Sequence, residues 1–203
     1  MPWKTVTTDM IVDSMIRANL EFEKISGGYW TGDYGIERPL AYFIGRYIHD
    51  QTNLMVTLEE HVPNVGPIDI AIWNTVQEDL ECFIEVKKNI SSGGIKESEE
   101  GLLTDARRLA RTFSSGHFSP KRNCAARVRI PQFGFICLYF QKNGFPNFER
   151  IENDLDSLVE LLAALPVQVL DKSLTVSSRK SFDAQWHIGA LCLRLGASAD
   201  SSS

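Results

Sequence analysis

Two carboxylates and one lysine interrupt a stretch of chain that is otherwise core material. From Gly66 to Trp73, Ile68, Ile70 and Ile72 alternate with Asp69, Ala71 and Trp73. From Glu81 to Lys88, Cys82, Ile84 and Val86 alternate with Phe83, Glu85 and Lys87. Period-two alternation in β-branched and aromatic residues is the pattern of a strand, and it sets Glu85 and Lys87 on one face. Antiparallel pairing around a turn near Val76 to Glu78 brings Asp69 opposite Glu85, Ala71 opposite Phe83 and Trp73 opposite Glu81. Directly opposed side chains stand about 4.5–5.5 Å apart at Cβ, where like charges destabilise the pair. A hard divalent cation relieves such a repulsion, and Mg²⁺ takes one or two carboxylates while keeping several waters. Lys87 points into the same small volume, so the group can do the chemistry of a bound cation beside an ammonium.

Other elements must hold that hairpin. A first helix is predicted from Thr8, as N-cap, to Glu23, with Ile11, Met15 and Ile16 on one face. A second runs from Ile36 to Asp50, tolerates Pro39 in its first turn, and carries Ile36, Leu40, Phe43, Ile44, Tyr47 and Ile48 at helical spacing. Leu54 to Val62 reads as a strand, followed by a turn through Pro63 and Pro67. After the hairpin come a Ser91 to Gly94 loop and a helix from Glu97 to Phe113, with Leu102, Leu103, Ala106, Leu109, Ala110 and Phe113 inward. Ser114 to Arg129 reads as a polar, basic loop. Phe133 to Phe140 is a nearly continuous apolar run, expected to be a strand buried on both faces. Asp154 to Leu165 is predicted as a helix ended by Pro166, with short strands at Val167 to Leu170 and His187 to Leu195. The order implies an α/β protein, a three-layer α/β/α sandwich around a central mixed β-sheet.

Bulk properties bound the function class. The chain has 203 residues, enough for one domain over 1–195 with a tail from Gly196 to Ser203 expected to be disordered. Cys82, Cys124, Cys137 and Cys192 form no CxxC pair, and three of them sit in apolar runs. They read as reduced core thiols of a cytoplasmic protein rather than zinc or iron–sulfur ligands. No leader-like or membrane-spanning run is present. The net charge of −5 is unevenly spread. Residues 1–86 hold 5 Lys+Arg against 14 Asp+Glu, whereas residues 87–129 hold 10 against 4. A phosphate backbone responds to that local excess rather than to the total.

Asp69 on the second strand, with Glu85-Val86-Lys87 on the third, resembles the signature of the PD-(D/E)XK nuclease superfamily, which has the restriction-endonuclease-like fold. The stretch Pro67-Ile68-Asp69 inserts one residue into the literal Pro-Asp, and 15 residues separate Asp69 from Glu85. The resemblance covers Ile36 to Phe140. It implies that Asp69, Glu85 and the Val86 carbonyl ligate Mg²⁺ (or Mn²⁺), and that Lys87 orients or deprotonates the attacking water and stabilises charge at phosphorus. The physical case agrees: phosphodiester hydrolysis needs a nucleophile formed near neutral pH and a positive centre for transition-state charge. Members often carry a further glutamate on the helix before the first strand. Glu37 is the candidate, with complementing the helix dipole as its other reading.

The expected function is therefore a metal-dependent phosphodiesterase acting on DNA, alone, as a homodimer or within a defence or repair complex. Lys88, Lys96, Arg107, Arg108, Arg111, Lys121 and Arg122 are the candidate phosphate contacts, the alternative being an ordinary solvated surface. Two rival readings stay open. One is a nuclease-like nucleic-acid-binding module without catalysis, and the other an acidic interaction protein that docks through residues 1–86.

Overall fold

The computed structural model describes residues 5–25, 37–74, 79–89, 95–114, 117–118, 128–131, 133–143, 148–181 and 184–197. Its elements are α1 (Thr8–Ile25), α2 (Glu37–Thr52), β1 (Met55–Val62), β2 (Gly66–Asn74), β3 (Asp79–Asn89), a 3₁₀ turn (Ile95–Ser98) and α3 (Glu99–Ser114). Then follow β4 (His117–Phe118), β5 (Val128–Arg129), β6 (Phe133–Asn143), α4 (Phe148–Leu162), β7 (Val167–Ser181) and β8 (Ala184–Ala197). Six strands form one mixed sheet in the order β1-β2-β3-β6-β8-β7, with β3 and β6 parallel and the other pairs antiparallel. The short β4 and β5 pair separately.

Alternation along the central strands divides the core in two. Ile70, Ile72, Cys82, Ile84, Val86, Phe135, Cys137 and Tyr139 pack with Ile11, Met15, Leu40, Ile44 and Ile48 of α1 and α2. Ala71, Phe83, Ile136 and Leu138 pack with Leu102, Ala106 and Leu109 of α3 and Leu155 and Leu158 of α4. The result is an α/β protein with helices on both faces of the sheet, as expected, and β6 is buried on both sides. Cys82, Cys137 and Cys192 are free, buried thiols, also as expected. Among the described residues no helix is long and apolar enough to cross a membrane.

Several boundaries differ from the sequence reading, each for a physical reason. Thr7, not Thr8, caps α1: its Oγ1 accepts from the Met10 N–H at 3.2 Å, while the Thr8 hydroxyl donates to Asp171 of β7 at 2.5 Å. The α4 helix starts six residues before Asp154, because Ile151, Leu155, Leu158 and Leu162 make one buried stripe. The final hairpin is far longer than its apolar segments. β7 is an edge strand, so Asp171, Lys172 and Ser173 sit in it without entering the core. Gly196 and Ala197 belong to β8; residues 198–203, with Cys124, Lys121, Arg122 and the Ser91 to Gly94 loop, lie outside the described residues.

Candidate active site

The predicted β2–β3 pairing holds for its central rungs, with Ile70 opposite Ile84, Ala71 opposite Phe83 and Ile72 opposite Cys82. It fails beyond them. A register shift after Ile72 sets Trp73 opposite Leu80, not Glu81. Without that bulge Glu81 would share the inward face with Phe83. With it, Leu80 enters the core instead (5% exposed), and a glutamate is spared burial.

At the other end, Asp69 and Glu85 stand one step past the Ile70–Ile84 rung. There the Asp69 carboxylate takes over from the main-chain ladder, its Oδ2 accepting from the Val86 N–H at 2.7 Å. In an extended strand the N–H and C=O of one residue point to the same side, so the Val86 carbonyl faces this seam too. The Val86 side chain goes to the α1–α2 core. Glu37, in the first turn of α2, reaches across to β3, and its Oε1 accepts from the Lys88 N–H at 3.1 Å. The structure thus brings Asp69, Glu85, Lys87, Val86 and Glu37 to one end of the β2–β3 seam. Beside it a cavity of about 240 Å³ is lined by Asp69, Arg38, Ala41, Leu58 and Glu59.

The repulsion inferred from the sequence is opposed from within the chain by Arg108. Arg108 Nη1 lies 3.0 Å from Glu85 Oε1, 3.4 Å from the Pro67 carbonyl oxygen and 3.9 Å from Asp105 Oδ1. Glu85 is fully buried, and its Oε2 has no hydrogen-bond partner among the described residues. Burial, with the charges of Asp69 and Asp105, pushes the Glu85 carboxyl up to about 8, against the pull of Arg108. Lys87 Nζ pairs with Asp105 Oδ2 at 3.5 Å. Burial lowers the Lys87 pKa, but Asp105, Glu37, Asp69 and Glu85 outweigh it and hold the ammonium above its ordinary value.

Asp105 is the residue that sequence reasoning missed. It is fully buried on α3, and neither oxygen has a hydrogen bond among the described residues. Burial raises its pKa to about 6, with Lys87 and Arg108 opposing. The signal was present, since Asp105 falls three residues after Leu102 and four before Leu109, inside the apolar stripe. A charge there is as anomalous as Asp69 among isoleucines.

The basic residues separate rather than forming one face. Arg108 turns inward to Glu85, with its side chain 30% exposed. Arg107 and Arg111, one turn apart, are exposed on α3, as is Lys96 in the 3₁₀ turn. Lys88 is half-buried.

No group of three or more His, Cys, Asp or Glu side chains gathers to hold a metal among the described residues. Mg²⁺ commonly uses only one or two carboxylates. The unpartnered Glu85 Oε2, beside an Asp69 whose Oδ2 alone is engaged by the Val86 N–H, fits that smaller requirement. The chain matches no family model, no curated protein and no solved structure.

Proposed function

We propose that the protein is a metal-dependent nuclease that hydrolyses phosphodiester bonds in DNA, with the PD-(D/E)XK arrangement as its working site. The observation that carries this reading is the convergence of Asp69, Glu85 and Lys87 at one end of the β2–β3 seam, with a buried carboxylate oxygen unpartnered among the described residues. Asp69, Glu85 and the Val86 carbonyl would hold Mg²⁺ or Mn²⁺. Bound there, the cation would lower the pKa of water and offset charge on the phosphoryl oxygens.

The chain's own residues supply the rest. Lys87 stays an ammonium at neutral pH, because the acidic groups around it, Asp105 first among them, hold its proton. This favours a donor that orients water and offsets charge over a base that deprotonates it. Asp105 positions Lys87 by pairing with it. Glu37 fixes the end of β3 through the Lys88 N–H, and so sets where Lys87 stands.

The test is incubation of DNA with Mg²⁺ or Mn²⁺, comparing the wild type with Asp69→Ala, Glu85→Ala and Lys87→Ala. Each variant is expected to lose cleavage by roughly 10²-fold or more, the usual scale for a group that stabilises transition-state charge. Cleavage unchanged in all three rejects the assignment. One observation favours the second reading, a nucleic-acid-binding module without catalysis: Arg108 already neutralises Glu85. Carboxylate-independent, salt-sensitive DNA binding with no Mn²⁺ uptake would select it.

A further inference from the structure

Asp105 needs a reason. A carboxylate removed from water and, among the described residues, held only by long ion pairs is costly, and such a group calls for an explanation. It stands between two cations and is fully satisfied by neither, with Lys87 Nζ 3.5 Å from one oxygen and Arg108 Nη1 3.9 Å from the other. The same Arg108 nitrogen lies 3.0 Å from Glu85. Arg108 therefore has two carboxylate partners within reach, Glu85 at 3.0 Å and Asp105 at 3.9 Å, the first much the closer.

We propose that Arg108 is an exchangeable internal cation that occupies Glu85 when no metal is bound and passes to Asp105 when a divalent ion takes Glu85. The inference rests on the metal site of the proposed nuclease. A divalent ion on the Glu85 Oε2, unpartnered among the described residues, would stand close to the guanidinium on Oε1, and the two positive charges repel across the one carboxylate. The displaced guanidinium is best held by another carboxylate, since a half-buried charge gains from a partner. Asp105 provides that partner on the same helix, one turn away. The move needs only side-chain rotation, because α3 is anchored by its buried stripe of Leu102, Ala106, Leu109 and Phe113. The planar fork of five donors lets Arg108 change acceptors with little change in position. The Arg108 side chain is 30% exposed, against 0% for Glu85, so it is the member of the pair with room to turn. The two partners give the exchange two discrete states, each with its own contacts.

The exchange makes opposite predictions for the two residues. Titration of the full chain with Mn²⁺ alone, followed by calorimetry, is expected to show tighter binding by Arg108→Gln, about tenfold, because a competitor for Glu85 is gone. Asp105→Asn is expected to bind Mn²⁺ about tenfold more weakly, because the displaced guanidinium has lost its acceptor. A second measurement needs no variant: the Arg108 side-chain Nε–H resonance of the wild type should shift on Mg²⁺ addition, in step with binding. Wild-type Mn²⁺ binding that Arg108→Gln leaves unchanged or weakens, or an Arg108 resonance that does not move on Mg²⁺ addition, overturns the exchange and leaves the metal site standing. No Mn²⁺ uptake by either the wild type or Arg108→Gln removes the metal site and the exchange together.

Discussion

Glu85 shows how one buried side chain ties stability to pH. Its carboxyl is pushed from an ordinary 4.5 to about 8 by burial and by its acidic neighbours, and Asp105 is raised from 3.8 to about 6. Between the ordinary and the raised values the folded chain holds protons that the unfolded chain has released. The stabilisation is therefore complete below about pH 4 and is lost as the pH rises through 6 and then 8. In the presence of EDTA, the urea midpoint should fall steadily from pH 5.5 to 8.5. One proton accounts for a slope of up to about 1.4 kcal/mol per pH unit. Glu85→Gln should flatten the part above pH 6. A stability maximum at pH 8 in the wild type would contradict the burial of this acid. The Asp69, Glu85 and Lys87 set was legible in the sequence because strand alternation is local. Asp105 left a trace as well, a charge inside the stripe from Leu102 to Leu109, but the inward turn of Arg108 did not, because it depends on how α3 meets the sheet.

At the level of elements, the site depends on how closely α2 is laid on the sheet, since Glu37 must reach the end of β3. Gly45 governs that approach. A Cβ built there would lie 2.7 Å from Val56 Cγ1, and a β-branched side chain has little freedom to withdraw. Gly101, in the first turn of α3, has nothing within 4 Å of the same atom. Both substitutions by alanine gain helix propensity, up to about 1 kcal/mol. Only Gly45→Ala also meets an overpacking cost of about 1–3 kcal/mol. Thermal unfolding should therefore show Gly101→Ala stabilised by roughly 0.5 kcal/mol, and Gly45→Ala destabilised by roughly 1 kcal/mol. Stabilisation of both would mean that α2 stands farther from β1. Helices with a buried stripe, such as α2, could be read from their spacing. The β7–β8 hairpin was read only in its apolar segments, Val167 to Leu170 and His187 to Leu195, because an edge strand keeps polar residues such as Asp171 and Ser173, and its order comes from pairing along β8.

Across the whole molecule, charge is unevenly spread along the chain. Residues 1–86, with 14 Asp+Glu against 5 Lys+Arg, supply α1, α2, β1 and β2, whereas α3 lies in the segment with 10 basic residues against 4 acidic. α3 itself carries Arg107, Arg108 and Arg111 against Glu99, Glu100 and Asp105, so what it offers a polyanion is the local face of Arg107 and Arg111. Arg108 turns into the site, whereas Arg107 and Arg111 lie exposed on α3. Each phosphate neutralised contributes about −0.9 to the slope of log affinity against log salt. Replacing Arg107 and Arg111 together by glutamine should make that slope shallower by roughly 1.8, and lower the affinity equally for DNA of any sequence. Titrations of a labelled duplex from low to physiological salt would measure it. An unchanged slope would remove the outer face of α3 from the binding surface, and with it the expectation that DNA approaches the seam from that side.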